Sequence, residues 1–428
     1  MKATVFAYAC AAALSTLAAI SSAHAQLFKI DFVSPYAIWK YGPPKRQDYF
    51  PLAVWLQSPR NAARYKELGI NLYVGLWKGP IEEQLAQLKE VGMQVICDQN
   101  EVGLKHLDDP IIIGWMHGDE PDNAQPKEGG GYGPAIPPAE IIRRYLVMKA
   151  NDPDRPVLLN LGQGIANETW IGKGCHWIEY YRYVRGADIV SYDIYPANSM
   201  DRFCPQQKGG LQSATGPFEV ETPKGKTTIN LEPIWSGKDC LFLVARGVMR
   251  LRELTCDLKP VWNAIEVTHI REEGTRPTPE MIRAEVWMSI IAGSKGIIYF
   301  CHSWYPQFNE SVPLSDPEVG EAIRRVNAEV TQLAPIINAP NPGDIVSIQV
   351  EGDAPVLATA RFYNDAIYIF AIGMRALPTK ATFTIRPHLR ASEAEAVGEG
   401  RTLRVVDRSF SDSFSPWQVH IYRIPVSQ

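Results

Sequence analysis

An alternation of two residue patterns over the first 340 residues limits most strongly what this chain can fold into. Short runs of apolar and β-branched residues, typical of buried strands, alternate with longer segments whose apolar residues recur every three to four positions, as in amphipathic helices. Eight runs of the first kind occur, at 27–33, 70–77, 93–99, 111–118, 156–164, 187–196, 260–269 and 297–304. Continuous apolar strands are typical of parallel sheets covered on both faces. The pattern therefore predicts an α/β fold, a (β/α)8 TIM barrel.

The alternative to the barrel is an open, doubly wound parallel sheet. Such sheets usually carry a glycine-rich phosphate loop after the first strand, and no such loop follows the run at 27–33. Beyond residue 340, shorter alternating runs are separated by turns such as YND (363–365) and VGEGR (397–401), as in antiparallel sheets. We therefore predict a barrel at 26–338 and a small C-terminal antiparallel β-sandwich domain at 339–428.

Residues 1–25 have the pattern of a secretory signal peptide. Lys2 supplies a positive start, an apolar run follows, and SSAHAQ (21–26) offers a cleavage site before Gln26. We therefore predict a secreted or periplasmic protein, with an uncleaved membrane anchor as the alternative. The formal net charge is −4, and no basic run occurs. Nucleic acid and membrane surfaces are thus not expected partners.

The cysteines of an exported chain are candidates for disulfides. Those after residue 25 are Cys97, Cys175, Cys204, Cys240, Cys256 and Cys301. Cys175–Cys204 and Cys240–Cys256 are plausible pairs because the members of each lie near each other in the sequence. The other two lie in apolar strand-like runs and are expected to be buried thiols. No C-x-x-C motif occurs, so we predict no zinc or redox cluster.

The residues at the carboxyl ends of the predicted strands are the candidates for function, because the active sites of TIM barrels lie there. These ends carry carboxylates, amides, imidazoles and large aromatic rings. The mixture suits a polyhydroxylated ligand, since aromatic faces stack on sugar rings while charged and amide groups bond hydroxyl groups. The candidate binding residues are Trp39, Trp77, Asp119, Asn160, Tyr195, His269, His302 and Trp304.

Glu120, after the fourth strand, and Glu266, on the seventh, are the candidate catalytic pair. These strands lie on opposite sides of an eight-stranded barrel, so the two side chains are expected to face each other across its mouth. Hydrolysis of a glycosidic bond needs one carboxylic acid to protonate the leaving oxygen and one carboxylate to attack the anomeric carbon. A carboxyl separation of about 5–5.5 Å predicts retention, and about 6.5–9.5 Å predicts inversion.

Structural roles are the alternative for the same acids. Glu120 precedes Pro121, which suits the first turn of a helix, and Glu266 suits a salt-bridged barrel residue. Asp119 either caps a helix or raises the pKa of Glu120 by its charge.

Three histidines, His117, His269 and His302, follow predicted strands. Their spacing is not that of an H-x-x-x-H metal pair, so we expect them to be structural or to contact substrate. We predict no metal ion and no organic cofactor.

Four short motifs together resemble the clan A glycoside hydrolases in their order and placement. They are DEP (119–121), DIVSYDIYP (188–196), NAIEVTH (263–269) and YFCHSW (299–304). The resemblance implies a (β/α)8 barrel acting with net retention, with Glu120 as the acid/base and Glu266 as the nucleophile. It also implies that Tyr195 contacts the nucleophile and that Trp304 lines the sugar subsite.

Two features depart from that clan. Asp119 stands where the clan has asparagine, so it accepts a hydrogen bond from a substrate hydroxyl but does not donate one. The arginine usual near the second strand is not evident, and Lys78 is a possible substitute. We therefore expect a retaining glycoside hydrolase that cleaves a poly- or oligosaccharide, with a non-catalytic carbohydrate-binding barrel as the alternative. The C-terminal domain either only stabilises the barrel or binds carbohydrate as well.

Overall fold

A closed barrel of eight parallel strands forms the larger part of the molecule. The computed structural model describes residues 31–167, 177–198, 217–222, 225–230, 240–270, 272, 275–386 and 391–425. The barrel strands are β1 (Leu52–Trp55), β2 (Leu72–Val74), β3 (Gln94–Asp98), β4 (Ile112–Met116), β5 (Val157–Leu161), β6 (Ile189–Asp193), β9 (Val261–Glu266) and β10 (Ile297–Phe300). Each pairs in parallel with its neighbours, and β1 closes the ring on β10. The predicted TIM barrel is confirmed.

The first barrel strand is not the predicted one. It is the four-residue segment Leu52–Trp55, whose residues are all buried, whereas 31–33 form no strand and Val33 is exposed. Residues 27–30, like the predicted signal peptide at 1–25, lie outside the described part of the chain. The run at 27–33 has the composition of a strand, but the ring is completed by a shorter segment directly after Pro51.

Helices cover the outside of the ring. They are α1 (Ala62–Glu67), α2 (Glu82–Glu90), α3 (Glu101–Leu104), α4 (Pro138–Asn151), α5 (Tyr180–Tyr183), α6 (Leu243–Leu254), α7 (Pro279–Ala292), α8 (Val312–Ser315) and α9 (Pro317–Ile337). Local sequence sets the ends of the longest ones. Thr278 caps α7 by accepting from the amide of Met281 at 3.3 Å, and Gly293 ends it at a φ of 110°. Asp316 caps α9 by accepting from the amide of Glu318 at 3.0 Å.

Alternate residues of the barrel strands point inward and form a closed apolar interior. This cluster includes Ala53, Leu72, Val74, Ile96, Ile113, Leu158, Ile189, Ala264 and Ile298. Tyr36 closes the end of the barrel where the strands begin: its hydroxyl donates to the carbonyl of Lys295 at 2.8 Å and accepts from Nε1 of Trp262 at 2.9 Å. Trp39 belongs to the same buried cluster. The predicted substrate contact of Trp39 is therefore wrong, because the misplaced first strand put it at the opposite end of the barrel.

The C-terminal part is a sandwich of two antiparallel sheets, as predicted. One sheet contains β11 (Val346–Glu351), β14 (Thr379–Ile385) and β17 (Ser409–Phe414), and the other contains β12 (Val356–Tyr363), β13 (Ala366–Gly373), β18 (Val419–Pro425), β15 (Glu393–Ala396) and β16 (Arg401–Arg404). Phe383, Phe410 and Tyr422 pack between the sheets, with ring centroids 4.9–5.3 Å apart.

Strand β13 is buried along its whole length. One face, including Ile367 and Ile369, belongs to the core of the sandwich. The other face, including Phe370 and Ile372, belongs to the core of the barrel and its helices. Phe370 stacks on Trp287 of α7 at 5.9 Å. The sandwich is thus docked on the barrel through its five-stranded sheet.

Two antiparallel strands, β7 (Pro217–Thr222) and β8 (Gly225–Asn230), pair with each other in the segment between β6 and α6. Cys175 and Cys204 lie outside the described residues, so their predicted pairing stays a prediction. The predicted Cys240–Cys256 disulfide is wrong, because Cys256 is an exposed free thiol. Helix α6 separates the two positions by about 18 Å at 1.5 Å per residue, and a disulfide spans less than about 7 Å between Cα atoms.

Within the described residues, no helix combines the length and the apolarity that crossing a bilayer requires.

Candidate active site

The turn after β4 places two acids at the carboxyl end of the barrel. Glu120 has a φ of 40°, in the left-handed region that non-glycine residues rarely occupy. Its carboxylate accepts from Nδ2 of Asn123 at 3.0 Å, and its carbonyl accepts from Nε2 of Gln125 at 3.0 Å. The next helix begins only at Pro138, so the alternative of a helix-start acid is wrong. Strained backbone of this kind is concentrated at functional sites.

Asp122 holds this turn against the neighbouring strand end. The carboxylate is buried and accepts from the amide of Gly162 at 2.9 and 3.1 Å and from the hydroxyl of Tyr180 at 2.8 Å. Burial raises the pKa of Asp122 to about 7. Asp122 was not among the residues predicted from the sequence, and only its place in the DEPD stretch (119–122) distinguishes it there.

Three acids meet at the ends of β4 and β6, and we call Asp119, Glu120 and Asp193 the carboxyl cluster. Asn160 of β5 donates from Nδ2 to Oδ1 of Asp119 at 3.0 Å. The hydroxyl of Tyr195 donates to Oδ2 of Asp193 at 2.7 Å. Oδ1 of Asp193 is buried and has no hydrogen-bond partner among the described residues. The predicted residues Asn160 and Tyr195 therefore lie with Asp119 and Glu120, and Asp193 joins them.

Crowding of these acids changes their protonation. Burial raises the pKa of Asp193 well above its usual range, and the charge of Glu120 raises it further. One side of Asp119 is open to solvent, but protein surrounds its other sides, so desolvation and the charge of Glu120 raise its pKa to about 7. The cluster therefore retains at least one proton at neutral pH, which is the condition for an acid catalyst.

A cleft of about 820 Å³ opens beside Asp119 at the carboxyl ends of the strands. The loops after β1, β2 and β10 and the first turns of α2 form its walls. The predicted residues Trp77, His302 and Trp304 line it, together with Phe300 and Phe308. Its volume lies within the roughly 300–1,000 Å³ of typical ligand sites.

Glu266 does not reach this cleft. Its side chain is 0% exposed, and its carboxylate accepts from the backbone amide of Ala197, from the backbone amide of Asn198 at 2.9 Å and from Nδ2 of Asn198 at 2.6 Å. It also lies against Glu285 of α7, which is fully buried. The predicted convergence of Glu120 and Glu266 on one cleft is therefore not observed, because the loop after β6 covers Glu266.

Glu266 and Glu285 form a buried acid pair. Burial raises the pKa of Glu266 to about 7. Burial and the neighbouring Glu266 raise the pKa of Glu285 well above its usual range. Both side-chain oxygens of Glu285 lack any other partner in the described part of the chain. The predicted alternative of a salt-bridged Glu266 is also wrong, because hydrogen-bond donors and another acid surround this carboxylate.

The three predicted histidines lie in separate environments. Nε2 of His117 bonds the carbonyl of Gly186 at 2.7 Å in the interior. The ring of His269 contacts that of Tyr305 at 4.8 Å on the loops after β9 and β10. His302 alone of the three lines the cleft described above. His269, which the sequence predicted to contact substrate, therefore does not line this cleft.

Comparison with protein-family models and with curated proteins finds no match to this sequence. Among solved structures, an AmyP variant in complex with maltotriose matches with a TM-score of 0.52 at 9% identity, over 89% of this chain and 98% of that chain. An alpha-amylase from Geobacillus thermoleovorans complexed with acarbose matches at 0.46 and 11% identity, over 89% and 99%. A GH30 endoxylanase from Clostridium papyrosolvens matches at 0.43 and 11%, over 92% and 99%. At these identities the similarity to AmyP establishes a shared fold.

Proposed function

We propose that this protein is a glycoside hydrolase acting in the cleft beside the carboxyl cluster. The observation that carries the proposal is the position of Asp119. Its carboxyl faces an aromatic-lined cleft and lies in a cluster that holds a proton at neutral pH. Hydrolysis of a glycosidic bond requires carboxyl groups beside that bond.

Two carboxyl groups with different protonation states are needed, and the cluster offers them. We assign the proton donor to Glu120, which is half-buried and shares the proton of the cluster with Asp193, whose carboxyl group lies against it. We assign the anionic carboxylate to Asp119, whose ionised form is favoured by the hydrogen bond from Asn160. Glu120 then protonates the leaving oxygen while Asp119 attacks the anomeric carbon or activates a water molecule. Glu266, the nucleophile predicted from the sequence, would serve only if the loop at Ala197 and Asn198 opened.

The assignment of Asp119 predicts a pH profile. The reaction needs ionised Asp119, and its pKa is about 7, so kcat/KM is expected to rise with pH through about 7. Initial rates on an aryl glycoside or oligosaccharide between pH 5 and 9 measure this limb. Asp122 has a similar pKa but does not line the cleft. Asp122→Asn is therefore expected to keep the limb but to move it to lower pH, because the charge of Asp122 raises the pKa of Asp119. A limb that persists in Asp119→Asn contradicts the assignment.

The basic experiment is a screen of the wild-type protein against aryl glycosides, oligosaccharides and polysaccharides, followed by analysis of new reducing ends. Proton NMR of the first anomer released then distinguishes retention from inversion. Release of product that is lost in Asp119→Asn supports the proposal. Absence of any product across the screen, with a folded protein, argues against it.

A non-catalytic carbohydrate-binding barrel is the second candidate. The burial of Glu266 favours it, because the pair of opposed glutamates expected of a clan A hydrolase is not present in the cleft. Calorimetry that shows sugar binding without product after long incubation would select this candidate.

Export of the protein is also a proposal. The pattern of residues 1–25 supports it, and a carbohydrate substrate outside the cytoplasm is consistent with it.

A further inference from the structure

We propose that the outer part of the cleft selects uncharged sugar units and rejects sugars that carry carboxylates. The outer cleft is defined by Arg60, Trp77, Glu83, Trp304, Phe308 and Glu310. The inference rests on the proposed function, because it names the substrate class of the same site.

A run of aromatic rings leads from the carboxyl cluster into the outer cleft. The ring of Tyr195, bonded to Asp193, lies 4.9 Å from that of Phe300. Phe300 stacks on Trp304 at 5.7 Å with an interplanar angle of 23°, and Trp304 contacts Phe308 at 6.0 Å. A chain of sugars that extends outward from the carboxyl cluster therefore meets an aromatic surface along its path.

These rings are unusually exposed for their size. Trp304 is 52% exposed, Phe308 61% and Trp77, on the loop after β2, 69%. Large apolar side chains gathered on one surface mark binding sites, and aromatic rings supply a broad contact area for a ligand with apolar C–H faces.

Two hydrogen bonds of the Gln84 side chain hold the loop that carries Trp77. Nε2 of Gln84 donates to the carbonyl of Trp77 at 3.0 Å, and Oε1 of Gln84 accepts from the amide of Ile81 at 3.1 Å. The first turn of α2 thus fixes the backbone beneath the exposed ring. A fixed platform reduces the ordering cost of binding.

The charge of the lining determines which sugars it accepts. Its acids are Asp119, Glu83 and Glu310, and Arg60 is the one basic side chain among the described lining residues. Nη2 of Arg60 lies 3.4 Å from Oε1 of Glu83, so its charge is already paired. Lys78 lies 5.9 Å from the centroid of the Trp77 ring but does not line the cleft. A substrate carboxylate would meet Asp119 and Glu310, which form no ion pair with the described residues, and like charges brought together disfavour binding.

The remaining polar groups suit hydroxyls. One oxygen of Glu310 accepts from the amide of Ser58 at 2.8 Å, which leaves its other oxygen for a ligand donor. The ring of His302 stacks on Phe308 at 6.1 Å and lines the same cleft. Burial lowers the pKa of His302, so its imidazole is neutral at pH 7 and adds no attraction for anions.

The test is isothermal titration calorimetry at pH 7 with Glu120→Gln, in which turnover is suppressed. The neutral probes are cello-, xylo-, manno- and malto-oligosaccharides of two to six units, and the acidic probes are oligogalacturonides of the same lengths. We expect at least one neutral series to bind more tightly as it lengthens, and the acidic series to bind at least tenfold more weakly. Acidic probes that bind as tightly as the best neutral series overturn the proposal.

Substitutions in the outer cleft distinguish the contribution of aromatic stacking to affinity from the contribution of charge. Trp77→Ala and Trp304→Ala are expected to weaken neutral binding about three- to tenfold each, the range of a single aromatic contact. Tyr132→Ala is the matched control, because Tyr132 is 75% exposed but lies outside the cleft. The double variant Glu83→Gln, Glu310→Gln is expected to reduce the discrimination against the acidic probes. Unchanged affinity in both tryptophan variants would overturn the proposal.

The outcomes for the two proposals are distinguishable. Suppose that neutral oligosaccharides bind with the expected dependence on the tryptophans but are never hydrolysed by the wild-type protein. This result contradicts the proposed hydrolase activity and supports the proposed selectivity of the outer cleft. Hydrolysis that is indifferent to the tryptophans and to substrate charge contradicts the outer cleft alone.

Discussion

Replacing Glu120 by glutamine is expected to lower kcat/KM about 10²- to 10⁴-fold, the usual contribution of a positioned acid/base group. Glutamine keeps the shape of the side chain and its contact with Asn123, but it does not supply a proton to the leaving oxygen. Substrates with an activated leaving group, such as dinitrophenyl glycosides, need less protonation and are expected to lose less activity. Rates on activated and unactivated glycosides measure this difference.

The control for this variant is Glu128→Gln. Glu128 is an exposed acid that follows Glu120 in the same loop, so the change removes the same charge without touching the cluster. We expect its rates to match those of the wild type. If Glu120→Gln retains turnover within tenfold on unactivated substrates, Glu120 is not the proton donor.

Replacing Glu266 by leucine is expected to destabilise the protein by about 3 kcal/mol or more. Leucine removes the acceptor of the amides of Ala197 and Asn198 and of Nδ2 of Asn198, and each buried donor left unpaired costs about 1–3 kcal/mol. Urea unfolding followed by fluorescence measures the loss.

Glutamine at position 266 separates structure from chemistry. Its Oε1 still accepts from one side of the loop after β6, but its Nε2 replaces an oxygen that accepts from a backbone amide there. Glu266→Gln is therefore expected to be destabilised less than Glu266→Leu, to stay folded and to keep kcat/KM within tenfold. A Glu266→Gln protein that is folded but inactive would instead support the nucleophile predicted from the sequence.

The sequence predicted most of the barrel because its strands are long apolar runs between helices of clear period. Seven of the eight strands lie inside the predicted runs. The exception, Leu52–Trp55, lies in a short apolar run directly after Pro51, and the run at 27–33, which has a similar composition, was assigned as the first strand in its place. Strand order then follows from the right-handed connections of parallel strands.

The site was less predictable because side-chain directions at strand ends depend on distant loops. Glu266 was correctly placed on its strand, but residues 197 and 198 of another loop decide that its carboxylate is covered. Asp193 was visible at the end of the sixth run, yet its closeness to Glu120 joins positions 73 residues apart. No local pattern reports such a contact. The prediction of a Cys240–Cys256 disulfide was wrong for a related reason. The two residues are close in the sequence, but helix α6 separates them in space.

The two-sided burial of β13 has a consequence for how the molecule denatures. Since Ile367 and Ile369 serve one core while Phe370 and Ile372 serve the other, neither core survives the loss of this strand. We therefore expect a single calorimetric transition for the whole protein, with equal van't Hoff and calorimetric enthalpies. A fragment truncated before residue 339 would leave Trp287 without its stacking partner and is expected to aggregate.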